Sequence, residues 1–250
     1  MTWSQMQRLV MLLGCVPIVG CAHLALSTSD LDHVKRPAFI GRIEEEAGPK
    51  SLVFRQDRTY ASKLNRVEPK EADRRLQVKL AQAVSRFEVS DRLRAVALSR
   101  LPKERPWSNV VDPVQVANVL ESYLVQEVPA NPPDYELLKP LGADAVVEFV
   151  IEEFGLRCDS GRCGAFVAGH GRMFFLGGSE IWRSRFSVDR SRAPDAASLD
   201  PFAVAQEPDA FRRQLAGILD AVGARFAEEL NPPGRKPPAG EQTQPVGKDR

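Results

Sequence analysis

The sequence predicts an α+β fold: a single domain in which an antiparallel or mixed sheet with a three-strand meander is packed by amphipathic helices. Residues 145–188 contain three stretches rich in β-branched and aromatic residues, separated by turn residues. Apolar residues recur at spacings of three and four over residues 69–101 and 209–230. The order of strands, helices, meander and closing helix is typical of a layered α+β domain.

Two short strands and several helices are predicted before the meander. In chain order they are strands at 38–44 and 51–55, helices at 69–87 and 90–101, a helix from 112, and a short helix at 134–141. Ser90 is interpreted as the N-cap of the second helix. Asp112, Pro113 and Gln115 form the start of the third, as an N-cap, a first-turn proline and a capping-box partner.

The meander is predicted as strands over residues 145–156, 164–176 and 179–188. Gly177 and Gly178 are predicted to form a two-residue type I′ turn, because glycine accepts the positive φ that this turn requires. A polar connection over 189–207 leads to a long helix over 209–230, whose apolar residues step by three and four along one face.

The amino terminus has the pattern of an export signal. Residues 9–19 are an apolar run of 11 residues, too short to span a bilayer and suited to a signal-peptide core. The run ends in Ile18-Val19-Gly20-Cys21, which resembles the bacterial lipobox. The resemblance implies that residues 1–20 are removed and that Cys21 is the lipidation site. The alternatives are an ordinary secretory signal or a buried amino-terminal helix.

The resemblance also implies a location. Acyl chains on Cys21 would anchor the protein to a membrane. Ala22 stands where the inner-membrane retention signal of such lipoproteins places Asp, so the implied location is the outer membrane, facing the periplasm. Residues 21–35 are interpreted as a tether, 36–230 as the domain, and 231–250 as a disordered proline-rich tail.

Cys158 and Cys163 are the two cysteines of the predicted domain. They flank a turn-forming tetrapeptide at the facing ends of two predicted antiparallel strands. Opposed positions there lie within reach of a disulfide, which is the predicted bond. The alternatives are a reactive dithiol and a metal site completed by His170, although a metal needs a third and usually a fourth ligand.

Catalytic signatures are absent from the sequence. It contains three histidines and no G-x-S-x-G, Walker A or H-E-x-x-H motif. Glu152 and Glu153 are adjacent on a strand and point to opposite faces, so they are not a catalytic pair. We therefore expect no enzyme activity, no catalytic residue, no cofactor and no metal. A net charge of +1 argues against a strongly basic nucleic-acid binder.

The last strand of the meander offers a candidate partner surface. Arg183 and Arg185 share one face and are either an anion or glycan contact or a solvated outer face. Trp182 lies on the other face with Phe186, as sheet core against the last helix or as an aromatic contact for a partner. The glycines at 169 and 171 are interpreted as admitting a bulge or a close neighbour in the sheet.

The region from Leu141-Gly142-Ala143-Asp144 to the hairpin ending in Trp182 and the closing helix, about 90 residues, resembles a group of envelope lipoproteins. It is similar to the amino-terminal domain of TolB, to LpoB and to CsgG. The resemblance implies docking to an envelope machine. The leading hypothesis is a lipid-anchored, non-enzymatic binding or assembly protein with an envelope protein partner. The alternatives are an envelope enzyme acting on cell wall or a small molecule, and a structural lipoprotein that self-assembles through a sheet edge.

Overall fold

The structure, a computed structural model, describes residues 23–124 and 132–233. It confirms the α+β class, with helices packed on a five-stranded mixed sheet. The elements are α1 Thr28–His33, β1 Pro37–Ile43, β2 Pro49–Leu52, α2 Arg58–Ala61, α3 Pro69–Ala83, α4 Arg86–Arg100, a 3₁₀ turn Trp107–Asn109, α5 Pro113–Leu124, a 3₁₀ helix Tyr135–Leu141, β3 Ala145–Asp159, β4 Arg162–Phe175, β5 Glu180–Asp189, α6 Pro201–Gln206 and α7 Asp209–Glu229.

The long strand β3 organises the sheet. β1 and β2 both pair with β3 in parallel, one after the other along its length, and β4 and β5 follow antiparallel on its other side. The resulting order is β1-β3-β4-β5, so the predicted three-strand meander is confirmed and β5 is an edge strand.

Each face of the sheet is packed by helices. On one face, α4 and α7 cover the main core, where Phe226 of α7 contacts the rings of Phe149, Trp182 and Phe186 at centroid distances of 5.4, 5.3 and 5.6 Å. On the other face, α5 and the 3₁₀ helix cover part of β1, β3 and β4. The predicted apolar stripe of α7 is therefore the stripe that the sheet buries.

The boundary between α3 and α4 differs from the prediction. α3 ends at Ala83, and α4 is capped by Ser85 rather than Ser90. The Ser85 hydroxyl accepts a hydrogen bond from the Glu88 backbone N–H (3.1 Å), and the Glu88 carboxylate accepts one from the Ser85 N–H (2.8 Å). This capping box starts a new helix although the apolar spacing continues across the break.

The turn between β4 and β5 also differs. A type I′ turn needs positive φ at both central residues, but only Gly177 of the glycine pair has it, at 73°. The Phe175 N–H donates to the Ser179 carbonyl (3.2 Å), which closes a loop of three residues, Leu176 to Gly178. The predicted two-residue turn is wrong because the strand pairing shifts register between Met173 and Phe174.

The tether prediction is wrong for most of residues 21–35. Leu24 forms a backbone bridge to β5, and α1 begins after Ser27, whose hydroxyl accepts from the Asp30 N–H (3.0 Å). Leu26, Leu31 and Val34 are buried in the main core. The helix α1 has six residues, too few to show a helical period in the sequence, so this packing could not be predicted from apolar spacing. Residues 1–20 and Cys21 lie outside the described residues, as does the predicted tail from 234 onward.

The predicted disulfide is confirmed. Cys158 and Cys163 are directly opposed in the β3–β4 register and bonded through their sulfurs. His170 hydrogen-bonds to Glu152 instead, so the structure does not support the alternative of a metal site shared by these cysteines and His170.

We expect Cys158→Ser to lower the melting temperature. The bond closes a six-residue loop, and removing it should cost about 2 kcal/mol through the entropy of the unfolded chain. Thermal unfolding of the wild type with and without reductant gives the same comparison, and Cys163→Ser should match Cys158→Ser. Equal melting temperatures in all samples would contradict a stabilising disulfide.

Candidate functional site

The sheet face that α5 covers only in part carries a band of charged residues. Two neighbouring rows of the register cross the strands there: Ile40–Glu148–Arg172–Arg183 and Arg42–Val150–His170–Arg185. Residues opposed in a register lie side by side on one face. We call this band the charged face. Its ionisable members are Arg42, Glu148, His170, Arg172, Arg183 and Arg185, together with Glu152, whose carboxylate contacts His170 and Arg185.

The inner part of the charged face is a buried ion-pair network around Glu148. Its carboxylate accepts hydrogen bonds from the Arg42 Nε–H (2.7 Å), from Arg172 and from the Tyr135 hydroxyl. Burial alone would raise the pKa of Glu148, but the Tyr135 hydrogen bond and the two arginine charges outweigh it and lower the pKa. Burial, reinforced by the Glu148 charge, raises the pKa of Tyr135 well above its usual value. A satisfied carboxylate of this kind is a structural element of the sheet.

The outer part of the charged face centres on Glu152. Its carboxylate lies 2.7 Å from His170 Nδ1 and 3.0 Å from Arg185 Nη2. Burial raises the pKa of Glu152, whereas the His170 hydrogen bond and the Arg185 charge lower it more, so the net shift is downward. Glu153 instead pairs with Lys50, at 3.6 Å. The prediction that these two glutamates point to opposite faces is wrong. The main-core residues of β3 change from Phe149 and Ile151 to Phe154 and Leu156 across a register shift, so both glutamates lie on the side away from that core. The two carboxylates nevertheless have different partners.

The contacts that Glu152 makes depend on how three strands are aligned. Alternation from Glu148 and Val150 places Glu152 on the charged face. Its pairing with His170 and Arg185 also requires the register of β3, β4 and β5, which alternation within one strand does not specify. A register shift between Ile151 and Glu153 is a bulge that brings Glu153 to the same side of the sheet.

At the β5 edge of the sheet, three arginines form a group that we call the arginine edge: Arg183, Arg185 and Arg225. Each has a carboxylate partner, with distances of 2.6 Å to Glu180, 3.0 Å to Glu152 and 3.2 Å to Glu229. The arginine side chains are 42%, 52% and 43% exposed, against 26%, 27% and 24% for the carboxylates. The positive side chain is therefore the more exposed member of every pair.

The arginine edge joins two elements. Arg225 of α7 reaches across to donate from Nη2 to the backbone carbonyl of Arg185 on β5 (3.0 Å). This bond occupies an outward-facing carbonyl of an edge strand, which would otherwise be open to another chain. The sequence identified Arg183 and Arg185 but missed Arg225, because the contact spans 40 residues.

Trp182 is not part of this surface. Its side chain is fully buried, packs edge-on against Phe226, and donates from Nε1 to Glu229 (3.3 Å). The interpretation as sheet core is confirmed and the partner contact is wrong. The glycine at 171 is explained by the same ring, since a Cβ there would lie 2.4 Å from a Trp182 ring carbon. The close neighbour predicted for that glycine is thus a tryptophan.

A groove lies between the amino-terminal ends of α4 and α7. It has a volume of about 90 Å³, well below the roughly 300–1,000 Å³ of typical small-molecule sites. Its lining is largely apolar, from Val84, Val89, Leu215, Ala216 and Leu219, with Glu88, Arg92 and Arg212 also contributing. The groove therefore offers little room for a substrate.

Within residues 23–124 and 132–233, no cluster of three or more histidine, cysteine or acidic residues is arranged to hold a metal ion. Over the same residues, no helix combines the length and the apolar character needed to cross a bilayer.

No family model and no curated protein matches the chain. Among solved structures, the chain is similar to a PelC dodecamer from Paraburkholderia phytofirmans, at 12% identity and a TM-score of 0.33, over 84% of this chain and 94% of that one. It is also similar to lipoprotein GNA1162 from Neisseria meningitidis, at 12% identity and a TM-score of 0.33, over 73% and 99%.

A third neighbour is a hypothetical protein from Chlamydia trachomatis, at 12% identity and a TM-score of 0.31, over 78% of this chain and 98% of that one. TM-scores at this level carry no argument about the function of the chain. The resemblance to TolB, LpoB and CsgG stays a prediction.

Proposed function

We propose that the protein is a lipid-anchored, non-enzymatic component of a bacterial cell envelope that docks to another envelope component through its arginine edge. Cys21 would carry the lipid, and Ala22 favours the periplasmic face of the outer membrane. The observation that carries the proposal is the exposure of three arginines along the β5 edge of the sheet, each more exposed than its carboxylate partner.

The chemistry of the arginine edge favours an anionic component. A guanidinium presents a planar set of donors that matches carboxylates and phosphates. Exposed ion pairs of this kind contribute little to folding, so their carboxylates are better understood as supports that orient the arginines. Glu180 holds Arg183 through two hydrogen bonds, of 2.6 and 2.7 Å. The guanidinium is thus positioned before a partner arrives.

The acids of the charged face support a role without catalysis. A general acid or base works best when its pKa lies near the operating pH. The pKa values of Glu148 and Glu152 are both lowered, which moves them away from neutral pH. Glu148 is in addition fully buried, so a substrate would not reach it. These features favour docking over the alternative of an envelope enzyme.

The proposal is tested by crosslinking in living cells, with a photoreactive residue at Ser187, an exposed neighbour on β5. We expect adducts to an envelope component that are lost in Arg183→Ala/Arg185→Ala, because the anionic partner loses its contacts. The matched control is Arg74→Ala/Arg75→Ala, which removes two exposed arginines that pair with Glu71 on α3.

Adducts that survive the Arg183/Arg185 substitution unchanged, or that are lost equally in the control, would contradict docking through this edge. Adducts made only to a second copy of the chain would favour the self-assembling alternative, since β5 is an edge strand.

A further inference from the structure

We infer that the protein is held with its β5 edge against the bilayer and that Arg183, Arg185 and Arg225 contact anionic lipid headgroups. The inference deepens the proposed function and rests on it, because it requires the lipid on Cys21. It names the envelope component that meets the arginine edge as the surface of the membrane itself.

The first support is the backbone bridge between Leu24 and β5. The Leu24 N–H donates to the Arg183 carbonyl, and the Arg183 N–H donates to the Leu24 carbonyl, both at 2.9 Å. Leu24 is thus fixed beside the arginine edge. Its own side chain is among the few large apolar side chains that the described chain leaves exposed.

The second support is the short distance along the chain from Leu24 to the lipid. Three residues lead from Cys21 to Leu24, and an extended chain spans about 3.3–3.6 Å per residue. The acylated cysteine therefore lies within about 10 Å of the bridge. A free tether from Cys21 to residue 36 would instead have allowed about 50 Å. The anchor brings the arginine edge to the depth of the lipid headgroups.

The third support is that the segment after Leu24 is firmly packed. Leu26, Leu31 and Val34 are buried in the main core. The Asp144 carboxylate then accepts hydrogen bonds from the backbone N–H groups of Lys35 (2.7 Å) and Arg36 (2.9 Å). Releasing the bridge would leave the domain attached at Leu26, only two residues further from the membrane. The orientation is therefore built into the fold.

The charges at this edge suit an anionic surface. The three arginine side chains are more exposed than their carboxylate partners, so a headgroup phosphate reaches positive charge more readily than negative charge. His23, whose side chain is also exposed, lies beside Glu229 of the same group. Basic side chains that are held near a membrane are attracted to anionic lipids within a Debye length. Phosphate is moreover a preferred partner of arginine.

The test measures binding of the mature chain, residues 21–250 with Cys21→Ser, to lipid vesicles, so that the arginines act without the acyl anchor and without the apolar run of residues 9–19. The vesicles are phosphatidylcholine alone or phosphatidylcholine with a third phosphatidylglycerol. We expect about tenfold stronger binding to the anionic vesicles, lost in Arg183→Gln/Arg185→Gln/Arg225→Gln. The control is Arg74→Gln/Arg75→Gln/Arg192→Gln, three exposed arginines that also pair with carboxylates.

The inference is overturned if both triple variants bind the anionic vesicles as strongly as the Cys21→Ser chain that keeps all its arginines. It is also overturned if that chain binds the anionic and the phosphatidylcholine vesicles equally. Circular dichroism of each variant verifies that it is folded. In either case crosslinks in cells that depend on Arg183 and Arg185 would still support docking to a protein or glycan. If those crosslinks are absent as well, the proposed function falls with the inference.

Discussion

Replacing Glu148 by alanine should destabilise the fold by about 3–5 kcal/mol, because it leaves buried positive charge without its counter-ion. Arg42 is buried, and its Nε–H donates to Glu148 across 106 residues of sequence. Arg172 and the Tyr135 hydroxyl lose the same acceptor. Chemical denaturation followed by circular dichroism measures the change in the free energy of unfolding.

Two controls sharpen this prediction. Glu136→Ala removes an exposed glutamate that pairs with Lys139 and should cost less than about 1 kcal/mol. Glu148→Gln keeps the shape and removes the charge. Since the pKa of Glu148 is lowered on folding, its ionised form stabilises the fold at neutral pH, and that stability is lost as the pH falls below the ordinary value of 4.5. Stability should therefore fall less steeply with acid in Glu148→Gln. A Glu148→Ala cost equal to that of Glu136→Ala would contradict the structural role of the network.

Replacing Phe226 by alanine should also cost about 3–5 kcal/mol, as expected for a large aromatic residue in a core. Phe226 is fully buried and joins α7 to β3 and β5 by stacking on Phe149 and meeting Trp182 and Phe186 edge-on. Its removal leaves a cavity between these three rings, which can close only if α7 moves.

Phe87→Ala is the matched control for Phe226→Ala. Phe87 lies on α4 and is 65% exposed, so the same substitution should change the free energy of unfolding by less than about 1 kcal/mol. Equal losses of stability in the two variants would show that α7 does not pack on the sheet as described.

The meander and the closing helix could be predicted because their signals are local and long. β3 to β5 are rich in β-branched and aromatic residues, and α7 keeps one apolar stripe over 21 residues. The disulfide followed from the same alternation, since Cys158 and Cys163 flank a turn between two antiparallel strands. In these places local preference and tertiary packing agree.

The rest depended on contacts that local patterns do not contain. The capping box at Ser85 divides a continuous apolar stripe, and the strand-like bridge at Leu24 involves a single residue. The candidate site was predicted in part: Arg183 and Arg185 are on the surface, but the support from Glu152 needs the alignment of β3, β4 and β5, and that from Arg225 needs α7 to fold over β5. Such pairings are fixed by tertiary structure.

The central claim is that Cys21 anchors this domain to an envelope membrane. The most direct test is the intact mass of the protein purified from bacterial membranes, with Cys21→Ser as the comparison. We predict a mature chain that begins at Cys21 and carries acyl groups on that residue, and a Cys21→Ser protein that keeps residues 1–20 and carries no acyl group. An unacylated wild-type chain, or a Cys21→Ser protein that is cleaved and acylated like the wild type, would contradict the lipid anchor and the orientation inferred from it.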